Sequence, residues 1–445
     1  MARLLKLASV VLTLAAGTGV LAQPIRDEYA FIGYHESAVD NRIARLEKKL
    51  ASGEVTLESR GNRGYLDSLL AALEIDPHSQ TLIFSKTSLQ YPLISAKTPR
   101  AIYFNDDTYI GWVQNSTIIE VMTVDAKVGT TFHVFNNIPD TLSDNKKPIE
   151  SHAQRCLVCH DSTGATGGGV PLVLARSSLY SINDINLRDV SGVGNVTDKT
   201  PVSERWGGWY VTGLHGDQTH LGNIQLQGPE DLPRVNELLR GNLSTLEGLF
   251  DTTPYPTPTS DIVALMVLEH QLAIQNQLGY VKFKAPAVLS RTRFASGDGG
   301  ISAASWADLP AAGQRALGKM LDELVSLLLF KDAATFTAPI EGSPEYKSSF
   351  LASGPRDGAG RSLRDFDLQT RLFRYRLSYL VYSEAFDALP PYASDYVYQK
   401  LAAILEGRDS DPRFAYLTER ERQDVLAILR DTKPAILPYL APPGG

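Results

Sequence analysis

The sequence predicts an α+β protein: a helical N-terminal segment, an antiparallel β-meander, a loop-rich middle and a mainly helical C-terminal half. Three observations predict it. Apolar residues near both ends recur at three- and four-residue spacing, the period of a buried helix face. Between residues 80 and 136 that period gives way to short runs of β-branched and aromatic residues separated by polar turns. From about 140 to 255 neither period holds and glycine is frequent.

Taken in order, Val39, Ile43, Leu46 and Leu50 form the first helical stripe, and Leu66, Leu69, Leu70 and Leu73 a second that Asp76-Pro77 ends. The strand runs are Thr81–Phe84, Ala101–Phe104, Tyr109–Val113, Ile118–Met122 and Thr131–Phe135, with Asn105-Asp106-Asp107 as a hairpin turn. Pro258 opens a strong helix that carries Ile262 through Leu278, and Leu317, Met320, Leu321, Leu324 and Leu328 mark another. Residues 331–362 read as a long polar connection. Helices are expected again over Phe366–Phe386 and Tyr396–Leu405, and a last one starts at Thr418 and Glu421 in capping-box spacing and stops before Pro434. No internal repeat is present. These shifts divide the chain into 1–22, 23–140, 141–255 and 256–445.

Residues 1–22 have the make-up of a cleaved signal peptide. Arg3 and Lys6 are followed by an apolar run from Leu7 to Leu14 and by Val20-Leu21-Ala22 before Gln23. The run is too short to span a bilayer comfortably. The expectation is a periplasmic or otherwise exported protein with no stable membrane anchor. The charge balance, 43 basic against 50 acidic residues and a net of −7, argues against nucleic acid as a partner. It suits docking to a basic redox partner.

The chemistry-bearing stretch is Cys156-Leu157-Val158-Cys159-His160, a C-x-x-C-H run holding both cysteines of the chain. This spacing is the covalent attachment site of a c-type haem. Each thiol can add across one haem vinyl group, and the next imidazole is then held under the iron as proximal ligand. The alternatives fit less well. A dithiol redox pair wants a thioredoxin-like βαβ context, whereas Asp161–Gly169 reads as loop. A zinc site wants four ligands, and a C-x-x-C disulfide closes a short, strained loop. One haem c is therefore expected, on Cys156, Cys159 and His160.

Function then hangs on the other side of the iron. A second protein ligand suits electron transfer, and an open position admits a substrate. Met122 sits in a strand, and Met266 and Met320 on apolar helical faces, so none is presented in an exposed loop. His270, on the apolar face of the helix after Asp261, is the candidate distal ligand, against the plainer reading of a satisfied core histidine. His215 and His220 could supply a ligand, a proton shuttle or a contact to a haem propionate, or lie in a solvated loop. His152 would lie near the haem edge, and His35, His78 and His133 carry no special context. Trp206, Trp209 and Tyr210 read as a small aromatic core or a haem-pocket wall. Arg155 and Arg205 are candidate propionate partners.

The Cys156–His160 run resembles the cytochrome c superfamily, over those five residues. The rest does not resemble a small single-domain cytochrome c, because no helix runs on from His160. Two-haem bacterial peroxidases need a second C-x-x-C-H, which this sequence lacks. Ser85–Gln90 and Ser203–Gly213 are similar to segments of large exported bacterial proteins with one cytochrome c domain. The resemblance implies haem and redox work and supplies no substrate. The leading expectation is an exported monohaem cytochrome that transfers electrons to a redox partner protein. The alternative is a haem oxidoreductase, peroxidase- or oxygenase-like, acting on a small molecule at an open iron site. A haem-based sensory module ranks third, since no signalling domain is attached.

Overall fold

The structure, a computed structural model, describes residues 27–138, 148–151, 153–190, 195–294 and 303–441. The expected signal peptide and His152 lie outside the described residues. The chain begins with α1 (Asp27–Ile32), α2 (Arg42–Ser52) and α3 (Leu66–Ala72). Asn41 caps α2 by accepting from the Ala44 N–H, and Gly53 closes it in the left-handed region.

Five strands follow: β1 (Thr81–Ile83), β2 (Arg100–Phe104), β3 (Thr108–Trp112), β4 (Ile118–Asp125) and β5 (Gly129–Asn136). Each pairs antiparallel with the next, as the alternating runs predict. After β6 (Ile149–Glu150) come the short helices α4 (Gln154–His160) and α5 (Thr163–Thr166), the hairpin β7 (Ser178–Tyr180) and β8 (Asn186–Asp189), and β9 (Trp209–Tyr210). The main sheet has seven strands in the order β6-β5-β4-β3-β2-β1-β9.

Side chains alternate across a strand, and here both faces are covered. Leu82, Tyr103, Ile110, Trp112, Val121 and Phe135 pack against Ile43 and Leu46 of α2 and Leu66, Leu69 and Leu70 of α3. Ile83, Phe104, Tyr109, Met122 and Phe132 face the other way, into a core built on α6 (Ile262–Phe294). The first half of α6 is buried on all sides, which marks a central helix. Asp261 caps it, accepting from Ala264 N at 2.8 Å. Around it lie α7 (Ala311–Leu328), α8 (Pro344–Ala352), α9 (Glu384–Asp387), α10 (Pro391–Leu405) and α11 (Glu419–Thr432). The capping box of α11 forms between Thr418 and Glu421 as the spacing predicts.

Two sequence expectations need correction. The stretch Phe366–Phe386 is not one helix: Phe366 and Phe373 face each other across an antiparallel bridge, and helix appears only at a 3₁₀ turn, Tyr379–Tyr382, and at α9. The Asp367 carboxylate accepts from the N–H groups of Gln369 and Thr370, and so makes a turn that competes with helix. The connection 331–362 contains α8, opened by Ser343 and Pro344. Strand pairing and packing also run across the composition shifts at 140 and 255. β6 and β9 extend the sheet at its two edges, and one core cluster runs from Ile83 to Ile436. The composition shifts mark a change from strand to loop.

Candidate functional site

The C-x-x-C-H run forms α4. On a helix, positions i, i+3 and i+4 share a face, so Cys156, Cys159 and His160 are gathered on one side of this short element. Its start is tied to the sheet: Ala153 N donates to Phe132 O and Cys156 N to Ala153 O, each at 2.9 Å. Cys156 is half-buried and Cys159 exposed, and both thiols are free. Burial, reinforced by the nearby Glu120 carboxylate, pushes the Cys156 thiol up to about 11. Val158 between them is 61 % exposed, an apolar side chain largely facing solvent.

His160 is held at two points by one residue. Its Nδ1–H donates to Leu172 O at 2.8 Å, and Leu172 N donates to His160 O at 2.9 Å. A carbonyl can only accept, so Nδ1 carries the hydrogen and Nε2 keeps the lone pair, the arrangement a metal-binding imidazole uses. The Phe132 ring lies 4.3 Å from the imidazole, centroid to centroid. Burial lowers the His160 pKa, which favours the neutral, lone-pair-bearing form.

The loop that the sequence predicts after His160 delivers Leu172. Gly167, Gly168 and Gly169 all have positive φ, 78°, 74° and 77°, which glycine adopts at little cost. A Cβ at Gly169 would lie 2.7 Å from Lys284 Nζ. That ammonium, on α6, donates to Gly168 O at 3.1 Å and to Glu28 of α1 at 3.0 Å. Asn276 of α6 then grips the backbone of Val173 through both N–H and C=O.

Sequence reading missed a charged pair on the same sheet face. Glu120 stands next to Met122 along β4, and Met122 pairs across to Phe132. Arg100 of β2 reaches over β3 to Glu120 at 2.7 Å. Gly111 makes this crossing possible, since a Cβ there would collide with the guanidinium. Ser88 Oγ and Leu89 N also donate to Glu120. Arg100 Nε is buried without a partner among the described residues. A buried unpaired donor is costly, so this atom is suited to an acceptor such as a carboxylate of a bound group. The pair is invisible in sequence because Arg100 and Glu120 meet only through the register of three strands.

His270 takes the plainer of its two readings. It is fully buried, with Nδ1 2.7 Å from Asp198 Oδ2 and Nε2 2.8 Å from Ser378 Oγ, and it stacks on Phe330. Both nitrogens are engaged by protein partners, the arrangement of a satisfied core histidine with no ring nitrogen left free. Met266 is likewise buried in the α6 core. His215 and His220 are buried, with rings 4.7 Å apart, so the solvated-loop alternative fails. His220 Nδ1 accepts from Gly222 N at 3.0 Å. Burial, and then His215, push the His220 pKa down to about 3. Both ring nitrogens of His215 lack partners among the described residues.

Trp206, Trp209 and Tyr210 are buried core residues. Arg205 spends its donors on Glu269, Thr200 O and Asp198 O, so it is unavailable to a propionate. Arg155 pairs with Glu150 at 2.6 Å, with both side chains about half exposed. Among the described residues no cluster of three or more His, Cys, Asp and Glu side chains is arranged to hold a metal ion, and no helix is long and apolar enough to cross a membrane. Compared with protein-family models, curated proteins and solved structures, the chain matches none.

Proposed function

We propose that this chain is an exported monohaem c-type cytochrome that binds haem covalently through Cys156 and Cys159, takes His160 as the axial iron ligand, and transfers electrons to a partner protein. One observation carries the reading: C-x-x-C-H lies on a single short helix whose histidine has Nδ1–H fixed on Leu172 O and Nε2 left as an acceptor. Cys156 and Cys159 would hold the haem, each S–H adding across a vinyl C=C to give a thioether with the thiol hydrogen on the neighbouring carbon and no oxidant needed. Bound haem supplies a one-electron iron couple. Phe132 and Leu172 orient the imidazole, and Arg100 Nε offers a donor to a propionate. The exposed Val158 fits an apolar group lying against α4.

The test is haem staining after denaturing electrophoresis of protein made with a haem-attachment system. The wild type is expected to stain, C156S or C159S to stain weakly, and the double variant not at all. Staining of the double variant would refute the reading.

A second reading, a haem oxidoreductase with an open distal position, gains support from the engaged nitrogens of His270, the candidate sixth ligand. Carbon monoxide added to the reduced protein separates the two. A spectrum that does not respond means two protein ligands and electron transfer, and ready binding means an open iron.

A further inference from the structure

A second feature lies outside the cysteine site. A cavity of about 250 Å³ is lined by residues that include Asp106, Gly354, Arg364, Tyr379, Tyr382 and Ser383. Most of its polar groups are already engaged. Tyr379 OH donates to Gln271 Oε1, Tyr382 OH pairs with Thr432 Oγ1, and Ser383 Oγ donates to Leu380 O. Arg364 differs. Its side chain is 5 % exposed, yet Nε and Nη1 have no partner among the described residues.

The guanidinium is held in place by its faces and one edge. It lies 4.3 Å over the Tyr379 ring and 4.7 Å over Phe350, and its Nη2 pairs with Asp106. Gly354, at φ 80°, leaves the space beside Nε: a Cβ there would approach it to 2.7 Å. The counter-charge is unequal, because Asp106 is 45 % exposed and its field is weakened by solvent. A buried guanidinium with two unpaired donors, one water-screened partner and a cavity alongside suits an oxyanion.

We propose that this cavity binds a small monocarboxylate with a short apolar or aromatic body. The carboxylate would take the open Arg364 donors, and the body would lie against Leu380, Pro355 and the tyrosine rings. Asp106 selects a single negative charge, since a phosphate dianion would meet more repulsion. The site shares none of the residues built around α4, so it stands independently of the haem reading.

Benzoate is the probe, titrated into the full chain while the Arg364 Nε–H resonance is followed by NMR. A saturable shift is expected with benzoate and none with inorganic phosphate. By calorimetry, R364K should weaken benzoate binding at least tenfold, because a point charge replaces the planar fork. D106N should tighten it by removing the like charge. If R364K does not fold, the wild-type resonance decides alone. No saturable shift at millimolar benzoate, or unchanged affinity in a folded R364K, would mean that the cavity holds only water and would overturn the proposal.

Discussion

At the scale of single residues, burial favours the neutral form of two histidines, His160 and His220. His220 is pushed down to about 3, against roughly 6.5 for an unfolded histidine. Between those values the unfolded chain binds a proton that the fold refuses, so stability must fall as pH drops below about 6.5. His160 shifts in the same direction. Urea unfolding of the haem-free protein at a series of pH values should show this slope, and H220Q should reduce it by up to one proton between pH 6.5 and 4. An unchanged slope would place the titration elsewhere. The pair Arg205–Glu269, each side chain 4 % exposed or less, is a second case. R205M strands a buried carboxylate and should cost about 3–5 kcal/mol of stability, measured by the same method. These partners were not legible in the sequence. His270 read as a ligand candidate because Asp198 and Ser378 lie 72 and 108 positions away from it.

At the scale of elements, the five central strands were legible because β-branched and aromatic residues alternate in short runs bounded by turns. β9 was not, since two residues in a glycine-rich stretch carry no period, and their strand character comes from pairing with β1. Phe366 and Phe373 misled for a related reason. Their seven-residue spacing matches two helical turns, but here it joins the arms of a hairpin. The cysteine motif itself was fully legible, whereas the support for its histidine was only partly so: the glycine run announced a loop but not that it ends on Leu172. G169A tests that support. Its Cβ meets Lys284 Nζ, and φ 77° penalises any side chain, so a loss of about 1–2 kcal/mol is expected in chemical denaturation. A variant as stable as the wild type would show that the glycine turn is not under constraint.

At the scale of the molecule, the sheet is a wall between two cores, and each needs chain from beyond residue 140. A fragment of residues 23–140 lacks β6, β9 and the α6 cover over Phe104, Tyr109, Met122 and Phe132. It should therefore show neither dispersed NMR signals nor a cooperative unfolding transition, and a folded fragment would restore the boundary that composition suggests. The brace Glu28–Lys284–Gly168 belongs to this scale too. Its ion pair spans 256 positions, so it closes only once well over half the chain has been made. In the closed fold Leu172 is bonded to His160 and Cys156 is half-buried, its thiol pushed up to about 11. A thiol so protected is a poor nucleophile. On the proposed haem reading, Cys156 would therefore be loaded on the nascent, still-open chain, and the finished fold would be a lock that turns afterwards.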